Sequence, residues 1–121
     1  MSLSPSPEVC RRGDRTVVRL PGLDRLDESN SHEVGRELAR LVEGLGRPRL
    51  VLDLAGIRYV SSTGLGQLVA LSRKAWSAGG WLVLANPEPL VAEALAVTRL
   101  DTVLQVHPPP GRGASPGSIP A

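Results

Sequence analysis

The fold is decided by the stretch Arg49-Leu50-Val51-Leu52-Asp53-Leu54-Ala55-Gly56-Ile57-Arg58-Tyr59-Val60-Ser61-Ser62-Thr63-Gly64-Leu65-Gly66. It begins with a short, mainly apolar run, which is typical of a strand buried in the middle of a sheet. The apolar spacing then changes to that of a helix, so the hydroxyls of Ser61, Ser62 and Thr63 fall at the helix start. Free N–H groups and the positive dipole end favour an anion there. The sequence therefore predicts a site in the loop of residues 55–63, beyond the carboxyl end of a central strand.

The flanking segments predict alternating strands and helices. Residues 16–20, 50–54, 81–85 and 103–106 are predicted strands, and a weaker strand is expected around Val9. Apolar residues at steps of three and four predict three helices, which carry Val34, Leu38, Leu41, Val42 and Leu45, then Leu65, Leu68, Val69, Ser72 and Trp76, then Leu90, Val91, Ala94, Leu95 and Val97. A strand, a helix and a second strand of these lengths form a crossover between parallel strands. The predicted fold class is therefore α/β.

Turn and capping residues set the expected helix ends. Asp27 or Asn30 is the expected cap of the first helix. The second helix is expected to close at Gly79-Gly80. The third is expected to open at Asn86-Pro87-Glu88, because Pro suits the first helical position.

Composition excludes several function classes. The chain has 121 residues, enough for one domain with a single core. It contains no Phe, one Tyr and two Trp, so the core must be aliphatic and no aromatic platform exists for stacking bases. Its 14 basic and 12 acidic residues are scattered rather than gathered in a stripe. Nucleic acid is therefore not an expected partner.

The sequence also gives expectations about the cellular location of the protein. Cys10 is the only cysteine, so neither an internal disulfide nor a cysteine zinc site can form. No signal-peptide pattern opens the chain, and no apolar run approaches the ~20 residues of a membrane helix. We expect a soluble, cytoplasmic protein. Residues 1–7 and 108–121, rich in Ser, Pro and Gly, are predicted disordered tails around one domain at 8–107.

Two motifs and their order carry a resemblance to a known family. Leu52-Asp53-Leu54-Ala55-Gly56-Ile57 is followed by Ser61-Ser62-Thr63-Gly64-Leu65-Gly66 and a helix. Then come Gly79-Gly80-Trp81-Leu82-Val83-Leu84-Ala85-Asn86 and a short helix ending in Thr98-Arg99-Leu100-Asp101. Over roughly residues 9 to 107 the chain resembles a STAS domain, the domain of bacterial anti-sigma-factor antagonists. The resemblance implies a single domain with a mixed sheet of four to five strands, packed with about three to four helices.

The resemblance also implies a function. In that family the hydroxyl residue directly before Gly-Leu-Gly is phosphorylated by a partner that is both an anti-sigma factor and a serine-threonine kinase. That position is Thr63, with Ser62 as the fallback acceptor. The unphosphorylated form binds the anti-sigma factor and frees the sigma factor, and a phosphatase is a further expected partner. The usual motif is Asp-Ser-Ser-Gly, so Ser61 stands here in place of the acidic residue.

The expected site residues follow from this resemblance. The predicted partner-binding residues are Arg58, Tyr59, Ser61, Ser62, Thr63, Gly64 and Leu65, and the predicted loop-supporting residues are Asp53, Gly56 and Gly66. No catalytic residue, cofactor, metal or membrane contact is expected. One alternative is a STAS scaffold that is not phosphorylated and serves another bacterial signalling complex. In the plainest interpretation, Ser62 or Thr63 only caps the helix, and Gly64 and Gly66 only allow close packing.

Overall fold

The computed structural model of the chain describes residues 7–107, and nearly all of both predicted tails lies outside this range. Within it, the strands are β1 (Glu8–Arg12), β2 (Arg15–Arg19), β3 (Arg25–Leu26), β4 (Arg49–Asp53), β5 (Tyr59–Val60), β6 (Trp81–Ala85) and β7 (Gln105–His107). The helices are α1 (Ser31–Gly44), α2 (Ser62–Ser77) and α3 (Pro89–Val97), and a 3-10 turn spans Leu100–Thr102.

Five of these strands form the main sheet, in the order β1-β2-β4-β6-β7. β1 is antiparallel to β2, and the other neighbours are parallel. β3 and β5 form a separate parallel pair. The mixed sheet and the helices confirm the predicted α/β class, including the weaker strand around Val9.

One aliphatic core joins the main sheet to the helices. On β4 and β6 every second residue belongs to it, namely Leu50, Leu52, Leu82 and Leu84. α1 and α2 contribute the stripes Val34, Leu38 and Val42, and Leu65, Leu68, Leu71 and Ala75. Each buried Val or Leu is worth about 1.5–3 kcal/mol relative to exposure, so this layer supplies most of the stability that holds the site.

The apolar face of α2 differs from the predicted one. Trp76 was expected on that face, but its relative exposure is 76%. Leu71 and Ala75 are buried instead. At about 100° per residue, Trp76 lies roughly 80° around the helix from Leu68, whereas Ala75 lies only about 20° from it. The sequence pattern is compatible with burial of either residue, and in the structure Ala75 is the buried one.

Two predicted element boundaries are also corrected. α3 begins at Pro89 rather than at Pro87, with Glu88 as its N-cap residue. Asn86 follows β6 with a left-handed φ of 54°, which is incompatible with a helical first turn. At the far edge of the sheet, Val103 was expected in a strand but is 57% exposed, and β7 begins at Gln105.

The turn between α2 and β6 depends on a glycine. The N–H of Trp81 donates to the carbonyl oxygen of Pro48 at 2.8 Å, which brings the two backbones together. A Cβ atom on Gly80 would lie 1.7 Å from that same oxygen. No side chain can occupy this position unless the backbone of β4 or β6 moves.

We therefore expect Gly80→Ala to lower the free energy of unfolding by at least about 2 kcal/mol, because backbone atoms must shift. Urea denaturation measures this loss. Gly66→Ala is the matched control: a Cβ there meets nothing within 4 Å. Because Ala favours a helix over Gly, the control should gain about 0.5–1 kcal/mol. Equal stability of the two variants would contradict the close approach at Gly80.

Candidate functional site

The predicted loop does follow the carboxyl end of β4. Its first turn is closed by Asp53, whose Oδ1 accepts the N–H of Ala55 at 3.0 Å and the Nδ2 of Asn86 at 3.2 Å. The N–H of Gly56 donates to Oε2 of Glu88 at 2.9 Å, and Gly56 has a left-handed φ of 88°. Asp53 and Gly56 therefore both take part in hydrogen bonds within or next to this loop.

A second segment lies beside the loop through the β3–β5 pair. Arg25 pairs with Tyr59 and Leu26 with Val60. The N–H of Arg58 donates to the Asp24 oxygen at 2.7 Å, just before the paired residues. Neither short strand was predicted, because two residues carry no readable period. Their pairing brings the connection between β3 and α1 to the start of α2.

The start of α2 is capped by Ser61. Its Oγ accepts the N–H of Gly64 at 3.2 Å, and the residue is 6% exposed. The expectation that Ser62 or Thr63 caps the helix is wrong, since these are its first two residues. Ser61 takes the role because its extended backbone turns the side chain back over the first helical turn. The hydroxyls of Ser62 and Thr63 are thus not needed for the cap.

Gly64 packs tightly, whereas Gly66 does not. A Cβ on Gly64 would lie 2.8 Å from both the Leu26 oxygen and Cγ1 of Val60. At Gly66 nothing lies within 4 Å, so its predicted packing role is absent. The side chain of Leu65 belongs to the core. Gly64 and Leu65 therefore hold the helix in place rather than facing solvent.

The outward-facing part of the site is formed by Arg58, Tyr59, Ser62 and Thr63. Arg58 and Ser62 are exposed, Thr63 is half-buried, and Tyr59 is 49% exposed. The Arg25 guanidinium lies 5.6 Å from the centroid of the Tyr59 ring, within the range of a cation–π contact. Exposed aromatic rings are among the residues that most often anchor protein–protein contacts.

A carboxylate that the sequence analysis missed lies at the same helix start. The pKa of the Glu28 carboxyl lies below its ordinary value, chiefly because of its own backbone N–H and then because of the side chains of Ser61 and Thr63. Desolvation and the Asp27 charge oppose the shift only in part. Because the folded pKa is lowered, the associated stability is present at neutral pH and is lost as the pH falls through that pKa. No sequence signal links residue 28 to residue 63.

Other candidate chemistry does not converge here. Among residues 7–107, no group of three or more His, Cys, Asp or Glu side chains is arranged to hold a metal ion. The His32 ring lies 3.2 Å from Nε2 of Gln67 on α2, which is an exposed contact between helices. In the same part of the chain, no helix is both long and apolar enough to cross a membrane.

The buried cap predicts that Ser61→Ala lowers the free energy of unfolding by about 0.5–2 kcal/mol, because the Gly64 N–H loses its acceptor. Thermal or urea unfolding measures the change. Ser62→Ala removes the neighbouring exposed hydroxyl and is the matched control, expected within about 0.5 kcal/mol of the parent protein. A larger loss in the control than in Ser61→Ala would transfer the capping role to Ser62.

Comparison with known proteins identifies the class of this fold. A family model described as "Mlab, STAS domain" matches residues 8–106. BtrV of Bordetella bronchiseptica, by its name a candidate anti-sigma factor antagonist, is 30% identical over 81 residues, which are 67% of this chain and 69% of that protein. An anti-sigma-factor antagonist (STAS) domain protein from Planctomyces limnophilus superimposes with a TM-score of 0.75 at 22% identity, covering 83% of this chain and 87% of that one.

The Bacillus cell fate determinant SpoIIAA, an anti-sigma factor antagonist, shares the fold as well. Its unphosphorylated form gives a TM-score of 0.67 at 16% identity over 83% of this chain and 86% of that one. Its phosphorylated form gives 0.61 at 16% identity over 83% and 89%. The sheet order, the helices and these matches define an α/β domain of the STAS type. The chain belongs to the STAS domain family.

Proposed function

We propose that this chain is an anti-sigma-factor antagonist that binds its anti-sigma factor through the surface around Arg58, Tyr59, Ser62 and Thr63. Phosphorylation of Thr63 switches this binding off. The observation that carries the proposal is the position of Thr63: it is the second residue of α2, only half-buried, and not needed for the helix cap. Family membership and the names of the relatives support the same role. The role is one of binding rather than catalysis, in the cytoplasm.

The switch needs only local electrostatics. Phosphate on Thr63 adds a charge of about −1.5 to −2 to a surface that a partner must desolvate. In the free protein the helix dipole stabilises that charge by about 0.3–2 kcal/mol. Phosphorylation of Thr63 therefore destabilises the complex and stabilises the free protein. The core beneath α2 does not have to repack.

The second candidate function is a STAS scaffold that binds its partner constitutively. The observation in its favour is Ser61, a neutral residue where the resembled family has an acidic one. Because Ser61 is buried as the helix cap, its hydroxyl is also a poor acceptor for a kinase. The two candidates differ in whether Thr63 or Ser62 carries phosphate in the cell and in the signalling complex that the chain serves.

For the binding surface, we expect Thr63→Glu to weaken affinity for the anti-sigma factor at least about tenfold, because it introduces negative charge at the contact. Thr63→Gln is the matched control, because glutamine has nearly the same size as glutamate and carries no charge. This variant should bind within about threefold of the parent. Titration calorimetry with the purified anti-sigma factor measures both. Equal affinity of the two variants would place Thr63 outside the interface.

For the modification, we expect phosphate on Thr63 that differs between two growth states of the native cells. Phosphopeptide mass spectrometry that resolves Ser61, Ser62 and Thr63 measures it. Phosphate on Ser62 alone would move the acceptor by one residue. No phosphate in either state, with full coverage of this peptide, would favour the constitutive scaffold.

A further inference from the structure

One edge of the main sheet is formed by an exposed strand. β1 is the first strand in the sheet order and, within residues 7–107, it pairs with β2 alone. All five of its residues are exposed. An edge strand presents a row of unpaired N–H and C=O groups, so it is a template for a further strand. The side chains of β1 decide which strand fits there.

Hairpin geometry fixes which backbone groups of β1 point away from β2. A two-residue turn joins the strands, and the pair Arg12 and Arg15 flanks it. The pair that flanks such a turn is hydrogen-bonded, and hydrogen-bonded pairs then alternate with non-hydrogen-bonded pairs along the ladder. Every second residue of β1, counted back from Arg12, therefore turns its N–H and C=O toward β2. The other two residues, Val9 and Arg11, turn theirs to the free edge.

The sequence of β1 is complementary to itself in one antiparallel register. Cys10 is the central residue of the strand, so two copies that pair about Cys10 place Glu8 of each opposite Arg12 of the other. Directly opposite side chains lie on the same face, and a carboxylate–guanidinium pair forms at each end. Val9 and Arg11, whose backbone groups face the free edge, also lie opposite each other and can exchange hydrogen bonds. An in-register parallel pairing would instead place each arginine opposite its own copy.

The charges of β1 also favour a second copy of this strand. Within residues 7–107, none of the ion pairs includes Glu8 or Arg12. Arg12 lies directly opposite Arg15 on β2, and like charges in such a position are destabilising. Glu8 of a second copy would lie on the other side of Arg12 and offset this repulsion. A neutral or basic strand would not.

We propose that β1 is an interface at which two copies of this chain join their main sheets, antiparallel and centred on Cys10. The inference goes beyond the proposed function and does not depend on it, since Arg58, Tyr59, Ser62 and Thr63 all lie outside β1. A dimer of this kind carries two copies of that surface. The contact between two five-residue strands is small beside the ~1,600 Å² of a standard interface, so the dimer is weak and reversible.

Sedimentation velocity of the full chain in reducing buffer, from micromolar to millimolar concentration, tests the association. The parent should shift from monomer toward dimer as its concentration rises. Glu8→Arg and Arg12→Glu should each weaken the association about fivefold or more, because opposite charges become like charges at both ends of the pairing. The double variant exchanges the charges and keeps the pairs, so it should associate within about threefold of the parent. A parent that stays monomeric, or a double variant as weak as the single ones, would overturn the proposal.

Cys10 reports the register, because it is the only cysteine of the chain and is exposed. In a non-hydrogen-bonded antiparallel pair the two Cα atoms lie about 4.5 Å apart, within the range of a disulfide. Mild oxidation should therefore link the parent into a covalent dimer. The matched control combines Cys10→Ser with Val9→Cys, which moves the thiol along the strand and separates the two Cα atoms by more than about 7 Å. It should link at least about tenfold more slowly, and equal rates would contradict a register centred on Cys10.

Two further variants separate this interface from the surface at Thr63. Val9→Pro removes an N–H that faces the free edge, so the dimer should be lost while β1 keeps its hydrogen bonds to β2. Thr63→Gln alters the other surface and should associate as the parent does. Circular dichroism checks that both variants are folded. Association that persists in folded Val9→Pro, or that is lost in Thr63→Gln, would show that the copies do not meet through β1.

Discussion

The site depends on one backbone interaction, the parallel pairing of β3 with β5 that ends in the hydrogen bond from Ser61 to Leu26. This bond fixes the residue whose Oγ caps α2, and it brings Gly64 so close to the Leu26 oxygen that no Cβ fits between them. Two strands of two residues each are weak alone. Here they lie over the core formed by the main sheet, α1 and α2, which holds them in register.

Because of this constraint, the N-terminus of α2 is already capped in the unmodified protein. The Ser61 cap satisfies one of the free N–H groups of the first turn, and the hydroxyls of Ser62 and Thr63 are not needed for it. A phosphate on Thr63 would therefore add charge to a finished structure without removing a cap from it. That arrangement suits a switch in binding better than a switch in folding, because the stabilising core need not respond.

The sequence predicted the strands and helices that have a periodic apolar pattern. It missed the contacts between segments that are distant in the sequence. The four predicted strands, the weaker first strand and the three helices all formed, because burial in an α/β sheet leaves a readable apolar period. Trp76 was wrongly predicted to lie on the buried face of α2, because periodicity alone defines that face only to within a fraction of a turn. The β3–β5 pair joins segments that lie far apart in the sequence, and no local pattern encodes such a pairing.

The replacement of an acidic residue by Ser61 leaves the cap of α2 intact, since the Ser61 hydroxyl accepts the N–H of Gly64. An N-cap requires an oxygen acceptor, and a hydroxyl serves this need as well as a carboxylate does. Ser61 brings no charge to the first turn of α2, so a phosphate on Thr63 would meet no repulsion from the residue that caps the helix.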